Sequence, residues 1–62
     1  MVEFVMRLKN HRCEFGALIG DQATIFTGVV KNVYTAYVEI VEDDGKVLFL
    51  SQDKVTYVRP DV

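Results

Sequence analysis

The 62-residue sequence has no tryptophan and only one cysteine, one proline and one histidine. A lone cysteine excludes a disulfide framework, so Cys13 is expected as a small buried thiol at the start of a strand. His11 and Cys13 lie two residues apart with no further His or Cys to join them, short of the four ligands a closed metal site uses. No metal and no other cofactor is expected. No apolar run approaches the roughly 18 residues of a transmembrane helix, and the opening Met1-Val2-Glu3 has no basic leader; the expectation is a soluble, cytoplasmic protein with no membrane partner. Positive charge is also short. Seven Lys and Arg stand against nine Asp and Glu, for a net charge of −2, which disfavours a protein that holds nucleic acid mainly by phosphate neutralisation. Paired carboxylates set for acid–base work, a nucleophile triad and a phosphate-binding glycine loop are all missing, so an enzyme is not expected.

What the chain has in quantity is apolar side chain: half of its residues are hydrophobic. A chain this short holds one domain, residues 1–62, and buries only about 60% of the surface its unfolded form exposes. So much apolar surface exceeds what one small core hides, and burial between subunits is the usual remedy. A homo-oligomer is the expectation.

Along the chain, residues 1–12 carry a helical stripe (Val2, Phe4, Val5, Met6, Leu8) but also half-alternate; a short N-terminal helix is expected, with an extra strand as the alternative. Residues 13–59 read as strands. Cys13 to Ile19 is closed by Gly20-Asp21. Gln22 to Val33 follows, with Gly28 marking a bulge or sharp bend. After Tyr34-Thr35-Ala36 comes Tyr37 to Glu42, then the Asp44-Gly45 turn, which as an Asp-Gly pair between apolar runs is the strongest hairpin signal present. Lys46 to Ser51 contains four consecutive apolar residues and so needs cover on both faces. A second turn at Ser51-Gln52-Asp53 leads into Val55 to Arg59, ended by Pro60. The acidic run Glu42-Asp43-Asp44 lacks a calcium-loop pattern and reads as a solvated hairpin tip. Glu39, mid-strand, is left open between facing water and facing the pore of a ring. The fold class is all-β: a small, strongly bent, five-stranded antiparallel barrel of the SH3-like kind.

This order of elements resembles the Sm and Sm-like family. Phe26, Gly28, Val30 and Val33 match the family's first motif without a gap, and Tyr37 and Val41 continue its apolar positions. Phe49-Leu50 and Asp53-Lys54 flank the second motif, and Val55-Thr56-Tyr57-Val58 is its strand. The chain departs from the pattern at Tyr34, where the motif has Asp, at Val38, where base-contacting Asn stands, and at Ser51-Gln52, in place of Arg-Gly. The Lys-His pair of bacterial members is missing too.

The resemblance implies an Sm-like barrel assembled into a ring, the fourth strand of one subunit pairing with the fifth strand of the next. Val47, Leu48, Phe49 and Leu50 with Val55, Tyr57 and Val58 are the interface so implied. It also implies a base-binding pocket for single-stranded RNA, whose residues here would be Tyr34 and Tyr37 for stacking, Ser51 and Gln52 for hydrogen bonding, and Lys54 for charge. Without the motif's Arg, such binding is expected to be weak or of altered specificity. A scaffold ring that binds another protein is the alternative.

Overall fold

A computed structural model describes residues 6–60. Five strands, β1 (Arg12–Ile19), β2 (Gln22–Val33), β3 (Tyr37–Glu42), β4 (Val47–Ser51) and β5 (Val55–Pro60), form one antiparallel sheet in the order β4-β3-β2-β1-β5, with a 3₁₀ turn (Gln52–Lys54) before β5. The expected strands are all present. No helix among the described residues is long and apolar enough to cross a membrane.

Two turns set the register. Gly20 (φ 58°) and Asp21 (φ 64°) both take left-handed backbone between the paired Ile19 and Gln22, the conformation that matches the twist of a two-residue hairpin. Asp44-Gly45 lies in a looser four-residue connection, with Gly45 at φ 89° donating to the Glu42 carbonyl at 2.8 Å. The tighter turn is therefore at Gly20-Asp21.

Alternation gives the sheet one apolar face. Cys13, Phe15 and Ala17 of β1, Val30 of β2, Val38 and Ile40 of β3, Leu50 of β4 and Val55 of β5 are buried in one cluster with Leu8, and the Phe15 and Phe26 rings stack at 5.3 Å. Leu50 and Val55 come from the two outermost strands yet share this core. A single sheet with no second layer achieves that only by curling over its own face.

The curl has identifiable causes. A Cβ on Gly28 would sit 2.6 Å from the Val41 carbonyl oxygen and 2.7 Å from Ile40 Cγ2, so its bare backbone lets β3 close in on β2. Between Val30 and Asn32 the β2–β3 register shifts, and another shift falls at Gly16/Ala17 against β5; such irregularities add bend and twist. The curl stops short of a closed barrel, because β4 and β5 are not bonded neighbours. The expected barrel is thus an open, curled sheet with two edges.

The helix expected over residues 1–12 is not supported. Residues 1–5 lie outside the described residues; Met6 and Arg7 have helical backbone, and the chain then turns. Asn10 takes φ 71°, which ends a helix, and its N–H donates to the Val30 carbonyl at 2.7 Å while Lys9 bridges to Val30. This segment is held against β2, and Leu8 plugs the core.

Candidate functional site

The β2–β3 connection and the end of β4 meet at one end of the sheet. Tyr37 pairs with Ser51, and the Gln52 N–H donates to the Ala36 carbonyl at 2.9 Å. Gln52 is only 8% exposed. Its Nε2 donates to the carbonyls of Tyr34 at 2.6 Å and Tyr37 at 3.3 Å, so the side chain clips the loop in place. Its Oε1 is buried without a hydrogen-bond partner among the described residues. The Ser51 hydroxyl donates to Asp53. Of the five residues expected at an RNA site, Tyr34, Tyr37, Ser51 and Gln52 are joined by these contacts, but Ser51 and Gln52 spend their donors within the chain. Tyr34 and Tyr37 remain 47% and 54% exposed, and Lys54 is exposed in the same turn.

Glu39 is a member of this surface that the sequence left undecided. It lies half-buried on the outer face, the face away from the core, where Oε1 accepts from Asn32 Nδ2 at 2.9 Å and from the Tyr34 hydroxyl at 3.4 Å. Phe49 is its cross-strand partner on β4 and is 61% exposed. Tyr37, two residues before Glu39 on the same strand, projects to the same face. A carboxylate is thus bordered by three exposed aromatic rings. Alternation alone puts Tyr37 and Glu39 together, but placing Tyr34 beside them needed the β2–β3 pairing.

The seven residues expected at a subunit interface divide by face. Leu50 and Val55 are core residues, and Leu48 and Val58 pack against that core: alternation turns Leu48 and Leu50 inward, and the register shift on β5 sets both Val58 and Val55 opposite the inward-facing Phe15 and Ala17. Val47, 53% exposed, and Phe49 point outward on edge strand β4. Tyr57 is half-buried on β5, its ring lying where a Cβ on Gly16 would be, within 2.4 Å of Cδ2.

Tyr57 anchors a second polar cluster. Its hydroxyl donates to Glu14 Oε2 at 2.8 Å, Arg59 lies 5.8 Å over its ring, and a small cleft lined by Glu14, Thr27, Arg59 and Pro60 opens alongside. The bond to Glu14 raises the phenol above its ordinary value near 10, since ionisation would set two negative charges together. A group whose folded value is raised stabilises the fold fully below its unfolded value and loses that contribution as pH rises through the folded one. Ultraviolet titration should accordingly find one of the three tyrosines ionising late. In Glu14→Gln that late component should return toward the ordinary range; an unchanged titration would contradict the bond.

Other sequence candidates are structural. Cys13 is fully buried, its thiol pointing at the His11 carbonyl at 3.6 Å, and burial raises its pKa, the opposite of an activated nucleophile. Among the described residues no group of three or more His, Cys, Asp or Glu could hold a metal ion. Asp43 at the hairpin tip accepts from Arg12 Nε and Nη2 at 3.1 and 2.7 Å, which ties the β3–β4 turn to the start of β1 and lowers the Asp43 pKa.

No protein-family model, curated protein or solved structure matches the chain.

Proposed function

We propose that the chain is the subunit of an Sm-like homo-oligomeric ring in the cytoplasm, and that the ring binds single-stranded RNA weakly. The observation that carries this reading is the strand order. It leaves β4 and β5, the two strands by which rings of that family join, as the two edges of the sheet. Unpaired edges are templates for further pairing, and a head-to-tail contact that closes into a ring removes them all. Exposed Val47 and Phe49 on β4 favour cover by a neighbour.

The RNA part of the reading rests on the exposed rings of Tyr34 and Tyr37, with Lys54 exposed in the turn that follows β4. Each subunit offers stacking faces of modest affinity, and symmetry multiplies them along one strand. Tyr37→Ala should weaken binding of short labelled RNA by about tenfold, since base–aromatic stacking contributes ~1–3 kcal/mol per base. Fluorescence anisotropy at low salt checks this, and undiminished affinity would refute the assignment of Tyr37.

The alternative, a ring that binds another protein, is favoured by one observation: Ser51 and Gln52 have spent their donors on the chain itself. Pull-down of a defined protein partner, insensitive to nuclease, would support it.

A further inference from the structure

We infer that the outer face around Glu39 is a binding site for a methylated lysine side chain of a partner protein. This goes beyond the RNA reading and does not rest on it, although a base and a cation would compete for the same tyrosines.

The site is a carboxylate among aromatic rings. Glu39 Oε1 accepts from two neutral donors, Asn32 Nδ2 and the Tyr34 hydroxyl, while Oε2 has no hydrogen-bond partner among the described residues. The ion pairs of those residues join Arg12 to Asp43 and Arg59 to Glu14, so no cation among them is paired with the half-buried Glu39. Phe49 stands directly across on β4, where facing side chains lie about 5 Å apart, and Tyr37 is two positions along β3, about 7 Å away. All three rings are exposed. Exposed side chains change rotamer within nanoseconds, so a cation drawn to Oε2 can gather ring faces around it.

The faces of aromatic rings are negative and attract cations. Hydration decides which cation gains most. A bare ammonium is compact and strongly hydrated, and it must give up that water to enter. N-methyl groups weaken the hydration and add apolar surface for the rings to cover. The trimethylammonium of a choline headgroup shares this chemistry, but it arrives with a phosphate that the Glu39 carboxylate repels. A lysine stem brings no such charge.

Titration of the full chain with blocked trimethyllysine, blocked lysine, phosphocholine and the neutral tert-butyl isostere of trimethyllysine, followed by NMR amide shifts, tests the assignment. Trimethyllysine should bind saturably, with its largest shifts around Glu39 and Phe49, and at least about threefold tighter than the isostere, which has the same shape without the charge. Bare lysine and phosphocholine should both bind more weakly than trimethyllysine. Glu39→Gln keeps an oxygen for Asn32 and Tyr34 but removes the charge, so the preference over the isostere should shrink with the fold unchanged by circular dichroism. Equal binding of the isostere, a preference indifferent to Glu39→Gln, or no saturable shift with trimethyllysine overturns the inference. Phosphocholine binding as tightly as trimethyllysine overturns the assignment to a protein side chain. None of the probes carries a base, so RNA binding is decided separately by the Tyr37→Ala measurement.

Discussion

Leu48→Asp should unfold the chain, whereas Phe49→Lys at the next position should leave it folded and separate it from its copies. The two side chains are neighbours in sequence with opposite surroundings. Leu48 packs against the core beside Ile40, its partner on β3; removing it forfeits about 1.5–3 kcal/mol of burial, and the short carboxylate brings an unpaired charge toward an apolar interior. A domain this small has only ~3–5 kcal/mol to lose. Phe49 stands 61% exposed, opposite Glu39, where an ammonium group faces a carboxylate and the fold loses little. An edge lysine is, however, a common device against strand-to-strand association. Circular dichroism and light scattering on the two variants separate the effects. A folded Leu48→Asp would contradict the inward face of β4, and an unchanged mass for Phe49→Lys would remove that side chain from the interface.

Gly28→Ala is the second substitution with a large expected effect, out of proportion to one methyl group. The new Cβ would meet the Val41 carbonyl oxygen at 2.6 Å and the Glu42 Cα at 3.1 Å. Both atoms belong to the β3 backbone, which cannot step aside without opening the β2–β3 pairing where the sheet bends, so the cost reaches or exceeds the ~1–3 kcal/mol usual for overpacking. Gly16→Ala is the control: its Cβ meets mainly the Tyr57 ring, a side chain that can swing away, so the expected loss is smaller. Chemical denaturation of both variants tests the contrast. Equal midpoints would mean that Gly28 does not set the bend.

These predictions also show which parts of the molecule could be read from the chain. Strands β2 and β3 were legible to the residue, because β-branched runs stop at Gly20-Asp21, Tyr34-Thr35-Ala36 and Glu42-Asp43. Gly28 announced a bend, although the register shift itself lies at Lys31, where nothing in the residue type marks it. The short helix expected within residues 1–12 is not supported because Leu8 satisfies a helical stripe and a core plug equally well; the choice was made by Asn10 and its bond to Val30, a contact about twenty positions away in sequence. Alternation in V-L-F-L was hidden by uniform apolarity, so the division between Leu48 and Phe49 needed the pairing with β3. In the candidate site the tyrosines were visible as residue types, but Gln52 was read as a base-reading group when its amide is committed to the loop. That commitment depends on a contact between residues 18 positions apart, beyond any local pattern.

The Sm-like reading and the RNA binding proposed with it both depend on the strand edges. A closed ring leaves no free β4 or β5, and repeated tyrosine platforms bind one RNA strand together only if the copies are held in fixed order. Light scattering of the wild-type chain at working concentrations addresses that claim most directly. The account predicts one discrete mass, an integer multiple of the 7.1 kDa chain and stable on dilution, as a closed assembly requires. A 7.1 kDa monomer, or a mass that climbs without limit as concentration rises, would contradict it.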